Sequence, residues 1–342
     1  MEILFVTEAS DLIGIGHLSR CLSIADVFRK NSHEVKFYLR SNSNSISNLL
    51  KEKDFEVCKS LKDLPRSNAI TEIPNKIVFL DLSGSGFSSE IDELRMLGYL
   101  ICLIDESDPT RLDKSDLHFM MPTARSNVSY RGTEFIGWDW IPLKLDVTNQ
   151  RAISITSKQG RYIVVSFGGA DPGELTELFC ANLSFIHPRQ SVVVICGPYV
   201  SLSRVSRIKS LVFGMPNVKV EHDPGNYAEI CAGAVLGIIA FGVSFYEFLY
   251  YQIPTVSIYR NASEVNSLVP IADSMGTVLL SEIEYRDVFK SGIQSSILET
   301  RIHAAVDESS ISKIRNGIVL RPDGNGTENI YRSVIDYLAR MS

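Results

Sequence analysis

Short, unbroken apolar runs alternate with helical patterns along most of the chain, and this alternation limits the fold more than any other feature. Runs at 2–7, 35–40, 76–82, 99–105 and 117–121 read as strands, with a weaker one near 55–58. Helical patterns at 17–30, 44–53 and 88–97 stand between them. Strands that are apolar throughout, joined by helical crossovers, belong to a parallel sheet covered on both faces. Residues 122–160 carry Arg125, Tyr130, Arg131, Trp138-Asp139-Trp140 and Pro142 and show no period, as expected of a crossing into a second domain with its boundary near 150. The pattern then begins again. Strands are expected at 161–167, 191–197, 218–222, 234–241, 255–260 and 277–280, and helices at 173–186, 202–213, 226–232, 244–252, 263–274, 285–299 and 326–340. The expected fold class is α/β, with two doubly wound domains, 1–150 and 151–342, facing each other across a cleft.

The chain has 342 residues, enough for two domains of ordinary size. A formal net charge of -6 argues against nucleic acid as the main partner. No basic segment followed by an apolar stretch and cleavage site precedes the first strand, and no apolar run approaches the ~20 residues that span a bilayer. The expectation is a cytoplasmic chain without a transmembrane segment, with peripheral membrane contact left open. Six scattered cysteines, none in a Cys-x-x-Cys pair, read as buried thiols of a reducing compartment.

Chemistry concentrates at the strand ends. The first strand leads into Gly14-Ile15-Gly16-His17-Leu18-Ser19-Arg20, where two glycines permit a tight turn and close approach of a ligand to the backbone. Leu18, Cys21, Leu22, Ala25 and Phe28 then recur at helical spacing. His17 is thereby placed in the first turn of a helix, at the carboxyl edge of a parallel strand, where open α/β sheets bind ligands. A helix N-terminus disfavours a cation, which leaves the imidazole able to accept a proton from water or a sugar hydroxyl. The alternative is a capping histidine after a glycine turn. Cys21 fits the apolar stripe better than a nucleophile's position. Asp81 ends the run Ile77–Leu80, and Asp105 and Glu106 end the run Leu100–Ile104. These carboxylates reach the same edge and either serve the site or cap loops.

In the second half, Gly168-Gly169 stands between a strand and a helix, and its amides with the helix start can hold a phosphate; a plain turn is the alternative. Phe241-Gly242-Val243-Ser244 is a second such turn. Ser244 can donate to a phosphate, and Glu247 can accept from two vicinal ribose hydroxyls. Ser-x-x-Glu is also the capping-box signature, which would occupy Glu247 with the helix start. Two glycine turns in one domain favour a nucleotide diphosphate. No His/Cys/Asp/Glu cluster has metal-ligand spacing, so neither a metal nor a cofactor is expected.

With these stations placed, the chain resembles the UDP-sugar hydrolase family of the pseudaminic acid pathway. That family cleaves UDP-2,4-diacetamido-2,4,6-trideoxy-β-L-altropyranose. More broadly the chain resembles the GT-B superfamily of glycosyltransferases, which includes the N-acetylglucosaminyltransferase that makes lipid II. The resemblance rests on Ile13–Leu22, Asp81, Ile104-Asp105-Glu106, Val165–Pro172, Glu247 with Pro254, and Asp323-Gly324-Asn325-Gly326. It departs at Asp81-Leu82-Ser83, where the family has Asp-His-Tyr. It departs again at Ile239–Ser244, where the family has Gly-Ala-Gly-Gly-Ser/Thr, and at Ala262-Ser263-Glu264, where it has Asp-Asn-Gln, although Asn261 and Asn266 stand close by.

The resemblance implies a metal-independent GT-B pair of Rossmann-like domains, with UDP held by the C-terminal half and His17 presented to the sugar by the N-terminal half. The expected activity is inverting hydrolysis of a UDP-activated amino sugar at its anomeric carbon, in surface-glycan or nonulosonic acid biosynthesis. His17 is the expected catalytic residue. Gly14, Gly16, Arg20, Asp81 and Asp105 are the expected substrate-binding residues, and Gly168, Gly169, Gly242, Ser244 and Glu247 the nucleotide-binding ones. Two rivals are a GT-B glycosyltransferase, in which a sugar or lipid hydroxyl replaces water, and a non-catalytic nucleotide-sugar-binding subunit of a polysaccharide assembly.

Overall fold

The computed structural model describes residues 1–10, 14–40, 44–64, 74–122, 130, 132–150, 162–183, 190–262, 265–266, 268–290 and 308–341. The chain divides into two units, Met1–Lys144 with Asp323–Ser342, and Leu145–Pro322. Ile13, Arg125, Arg131, Ser263 and Glu264, singled out above, lie outside the described residues.

The first unit holds a seven-stranded sheet. Its strands are β1 (Glu2–Thr7), β2 (Glu34–Leu39), β3 (Glu56–Cys58), β4 (Lys76–Asp81), β5 (Tyr99–Ile104), β6 (Leu117–Met120) and β7 (Thr133–Ile136), in the order β3-β2-β1-β4-β5-β6-β7. All pairs are parallel. Helices α1 (Gly16–Lys30), α2 (Asn44–Glu52), α3 (Ser88–Met96) and α4 (Pro109–Leu112) form its crossovers. The strand runs are unbroken because both faces are covered, and every residue of β5 is buried. Phe5 stacks between Phe37 and Phe79, with ring centroids 5.2 and 5.0 Å away, and Phe28 of α1 meets Phe79 edge-on at 5.5 Å. Burying each such ring contributes roughly 1.5–3 kcal/mol.

The second unit opens with the short helix α5 (Leu145–Asn149) and holds a six-stranded parallel sheet. Its strands are β8 (Tyr162–Ser166), β9 (Val192–Cys196), β10 (Val218–His222), β11 (Ala234–Ala240), β12 (Thr255–Tyr259) and β13 (Thr277–Ser281), in the order β10-β9-β8-β11-β12-β13. Its further helices are α6 (Leu175–Ala181), α7 (Leu202–Leu211), α8 (Tyr227–Ala232), α9 (Val243–Tyr250), α10 (Glu282–Lys290) and α11 (Glu308–Gly317).

In both sheets the chain adds strands outward on one side and then returns to the far side of the first strand. The reversal falls between β1 and β4 in one unit and between β8 and β11 in the other. A crevice opens at the carboxyl ends of the strands at such a reversal.

Three segments depart from expectation. Residues 133–136 form β7 on the edge of the first sheet, where no period was visible. Phe135 anchors this short edge strand, stacking on Phe119 at 5.0 Å and packing against Trp140 at 4.8 Å. The helix expected over 263–274 is a 3-10 segment, Val269–Met275, with Pro270 in its first turn. The last helix, α12 (Gly326–Met341), joins the first unit rather than the second. Ile330, Val334 and Leu338 form its buried stripe, Tyr331 packs edge-on against Phe28 of α1 at 5.1 Å, and Asn329 Nδ2 donates to the Asp139 carbonyl at 2.9 Å. No two cysteines are joined by a disulfide, and among the described residues no helix is long and apolar enough to cross a membrane.

Gly326 is the tight point of this return. A Cβ there would overlap the Ile141 carbonyl. Gly326→Ala is therefore expected to lift the start of α12 and lower stability by about 1–3 kcal/mol, the scale of overpacking. Urea unfolding at a fixed pH measures the loss, and an unchanged midpoint would show that the backbone yields freely there.

Candidate active site

The β1/β4 reversal brings together the residues expected from the first half. The register pairs Thr7 with Asp81, so both strands end level with one another. After β1 the chain turns through Gly14, whose φ of 82° suits glycine, and Ser10 and Gly14 exchange backbone hydrogen bonds. Gly16 then opens α1, whose N-cap Ile15 offers no side-chain cap. His17, on the first turn, is 23% exposed.

Beneath it lies a buried charge network. His17 Nδ1 stands 2.5 Å from Asp81 Oδ1, and the Asp81 side chain is only 1% exposed. The guanidinium of Arg20, one turn further along α1, donates through Nη2 to Asp81 Oδ1 at 2.7 Å and through Nε to Asp81 Oδ2 at 3.0 Å. Its Nη1 donates to Asp105 Oδ2 at 3.1 Å. Arg20 Nη2 also stands 3.1 Å from Nδ1; the shorter contact with the Asp81 carboxylate, which can only accept, assigns the Nδ1 proton to Asp81, and in that neutral tautomer Nε2 keeps the lone pair. Arg20 and Asp81 work beneath the histidine, and Gly14 and Gly16 shape the turn above it.

Burial pushes the Asp81 carboxyl up, but Arg20 and then His17 outweigh it and hold the group below the usual carboxylate range. Burial pulls the Arg20 guanidinium down, while Asp81 and Asp105 together raise it above its ordinary value. Burial and the Asp81 charge push the Cys21 thiol well up, which removes it as a nucleophile. Asp105 sits in the left-handed region at φ 52°. Glu106, expected at the same edge, turns away into a buried pair with Arg111, Nε to Oε2 at 2.5 Å.

The β8/β11 reversal gathers the second set. Gly168, at φ 86°, and Gly169 follow β8 and Phe167. The turn after β9 presses on them, since a Cβ on Gly197 would stand 2.5 Å from the Gly168 carbonyl oxygen. The expected phosphate contact at the start of α6 is not available. Asp171 takes those amides, with Oδ1 accepting from Leu175 N and Oδ2 from Thr176 N, both at 2.9 Å. Arg204 locks Asp171 in place through its side chain and carbonyl. Burial raises the Asp171 carboxyl against the pull of these amides and Arg204.

After β11, Gly242 adopts φ 153° with ψ -150°, a region open essentially to glycine, and serves as N-cap of α9 without a side-chain cap. Ser244 thus lies inside α9, where its Oγ meets the Tyr227 hydroxyl at 3.0 Å, and the capping box does not form. Glu247, one turn on, is 2% exposed. Burial, and after it neighbouring charges that include Glu247, raise the Tyr227 and Tyr251 phenols above their ordinary range. Among the described residues no group of three or more His, Cys, Asp or Glu stands together as a metal site would require.

The sequence reading missed Gly197, Arg111, Arg40 and Glu8. Gly197 had a signal in Cys196-Gly197-Pro198 after a strand, and Glu8 in its place directly after β1. The two arginines had none, because they act through backbone carbonyls far along the chain, Arg111 on Gly84 and Gly86 and Arg40 on Ser83 and Ser85.

Two doubly wound parallel-sheet units of this kind make the GT-B fold, and the solved structures that share it match the chain from end to end. The chain is similar to MurG of Acinetobacter baumannii, with 12% identity and a TM-score of 0.62 over 99% of this chain and 100% of that one. It is similar to a UDP-GlcNAc 2-epimerase from Neisseria meningitidis bound to UDP-GlcNAc, with 12% identity and a TM-score of 0.56 over 98% and 100%. It is also similar to Alr3699/HepE of Anabaena in complex with UDP, with 13% identity and a TM-score of 0.53 over 98% and 100%. No protein-family model matches the chain. In sequence it is 25% identical over 280 residues to an uncharacterised protein of Methanocaldococcus jannaschii, a match that takes in 76% of this chain and 56% of that protein, little more than half its length.

The Asp81 network sets a pH dependence. A carboxyl lowered by folding contributes stability that is present above its unfolded value, near 4, and lost as pH falls through the lower folded one. Asp81→Asn is expected to cost about 3–5 kcal/mol at neutral pH, because Arg20 is left buried with half its partner. It should also flatten the acid limb of stability against pH. Urea unfolding between pH 3 and 7 measures both; an acid limb as steep as the wild type's would place the titrating groups elsewhere.

Proposed function

We propose that the chain is an enzyme acting on a UDP-activated sugar, and that it hydrolyses the donor at its anomeric carbon with inversion. The observation that carries this reading is the His17–Asp81 pair at the β1/β4 reversal. A histidine whose Nδ1 is held by a buried carboxylate has Nε2 available to take a proton from an attacking hydroxyl. The UDP and UDP-GlcNAc bound by two of the solved neighbours support a uridine diphosphate as the leaving group.

In the reaction the water oxygen attacks the anomeric carbon and its proton passes to His17 Nε2. The bond from that carbon to the diphosphate oxygen breaks, and UDP leaves with the electron pair. Asp81 stabilises the imidazolium that forms. The diphosphate is assigned to the amides of the Gly168-Gly169 turn and of Gly242, with Ser244 assisting and Glu247 accepting from the ribose. General-base help supplies roughly two to four powers of ten in rate, and stabilisation of the leaving diphosphate a comparable or larger share.

A second reading is favoured by Ser83. This small side chain, folded onto Glu8 by a 2.7 Å hydrogen bond, leaves room for an acceptor hydroxyl in place of water, which would make the chain a glycosyltransferase. A time course of free sugar release, with and without lipid or oligosaccharide extract, separates the two. Rapid release in water alone, inverted by NMR early in the reaction, is expected. Strong stimulation by the extract, with sugar attached to it, would overturn hydrolysis.

His17→Ala is expected to cut turnover at least ~100-fold with UDP affinity held within a few-fold, because the nucleotide contacts lie in the other unit. Near-full turnover would return His17 to a capping role. Glu247→Gln is expected to weaken UDP binding by about 1.5–3 kcal/mol and binding of the 2′-deoxy nucleotide much less. Equal losses on both nucleotides in calorimetry would remove Glu247 from the ribose.

A further inference from the structure

The turn from Gly168 to Asp171 is held by its carbonyls. Gly169 O accepts from Tyr199 N at 2.9 Å. The Ala170 and Asp171 carbonyls accept from Arg204 Nη1 at 3.1 and 3.0 Å. In a planar trans peptide a carbonyl and the N–H of the next residue point opposite ways. Carbonyls held on the side of β9 and α7 therefore turn the N–H groups of Ala170 and Asp171 away from it. Among the described residues neither N–H donates a hydrogen bond. Because β9 and β11 flank β8, the other side of the turn is that of the β8/β11 reversal.

Arg204, on the first turn of α7, has no donor to offer a ligand. Its Nε donates to Glu177 Oε1 at 2.7 Å. Its Nη2 donates to Glu177 Oε2 at 2.7 Å and to Asp171 Oδ2 at 3.2 Å. With the two carbonyls on Nη1, all five N–H bonds of the guanidinium are engaged. The carboxylates of Asp171 and Glu177 also match its charge. What the side chain supplies is a rigid planar fork that ties the turn to α6 and α7 at once. A lysine there would keep the charge and lose the fork.

Resting on the sugar-nucleotide reading above, we propose that Arg204 is a positioning residue for the leaving diphosphate. It does not touch the nucleotide. It fixes the two carbonyls, so that the N–H groups of Ala170 and Asp171 stay turned toward the reversal and donate to the diphosphate. Without the fork these peptides can rotate, and the diphosphate loses donors that were oriented before it bound. Uridine alone, which has no phosphate, does not depend on the turn.

The test is titration calorimetry of the full chain with UDP and with uridine, read as the ratio of the two affinities. Arg204→Lys is expected to lower that ratio by about 10- to 100-fold, the scale of a hydrogen bond to a charged group, through UDP alone. Glu177→Gln weakens the seat of the guanidinium with less disturbance and should shift the ratio the same way by a smaller factor. Arg207→Lys is the control. Arg207 pairs with Glu174 and with the same Glu177 but with no carbonyl of the turn, so the wild-type ratio should persist. An Arg204→Lys variant that keeps the wild-type ratio, or loses both ligands in equal proportion, overturns the inference and leaves the nucleotide reading standing. A wild type that binds UDP no better than uridine overturns both the inference and the assignment of the diphosphate to this turn.

Discussion

The buried charge on Asp81 is the constraint on which the first unit's active edge depends. A carboxylate at the end of a buried strand is tolerated only if its oxygens are occupied by charged or strongly polar donors. Arg20 occupies both oxygens and His17 shares one. The two donors are three residues apart on one helix, so satisfying Asp81 also fixes the rotation of α1 about its axis. The glycine turn before α1 follows from the same requirement, because the chain must rise from β1 and reverse into the helix within a short loop. Asp105 completes the arrangement from β5 and accepts the remaining arm of the guanidinium. A left-handed backbone, unusual outside glycine though less so for aspartate, brings it there.

The two units repeat one strand order and put different chemistry at the same topological point. The first edge gathers charged side chains, with Asp81 and Asp105 set against Arg20, while Glu106 and Arg111 pair off in the interior. The second is built from glycine turns, at Gly168-Gly169, Gly197 and Gly242, and the carboxylate of Asp171 is engaged on helix amides. A diphosphate is repelled by a row of carboxylates and attracted by backbone N–H groups. The proposed function accordingly puts the nucleotide on the second unit and the sugar on the first.

The parts of the fold legible in the sequence are those with a strong local signal. Parallel strands covered on both faces appear as unbroken apolar runs, and glycine at a strand end announces a turn, so the sheets and the neighbourhood of His17, Asp81, Gly168 and Gly242 could be read directly. What stayed hidden depends on contacts distant in sequence. β7 carries one anchoring aromatic ring, too little for a period. The stripe of α12 shows that the helix is half-buried without showing which unit buries it. Asp171 resembles any acidic residue after a glycine turn until its carboxylate is seen on the first amides of α6. Arg111 spends its guanidinium on Glu106 and on carbonyls about 25 residues upstream, which no spacing rule reveals.

The charge arrangement around His17 bears on how it would work as a base. Arg20 is one cation set against two carboxylates, Asp81 and Asp105, so the network beneath the ring carries one net negative charge while the imidazole is neutral. Taking a proton at Nε2 brings the group to neutrality instead of adding charge to a partly buried site. Had Arg20 paired with Asp81 alone, the ring would protonate against a balanced pair, and the transition state would gain less. In the proposed reaction Asp105 would act at a distance from the reacting atoms: it binds the arginine arm that Asp81 does not need and would leave the Asp81 charge effective toward the ring. The order of the sheet makes this arrangement available, since β4 and β5 are neighbours and end at the same edge.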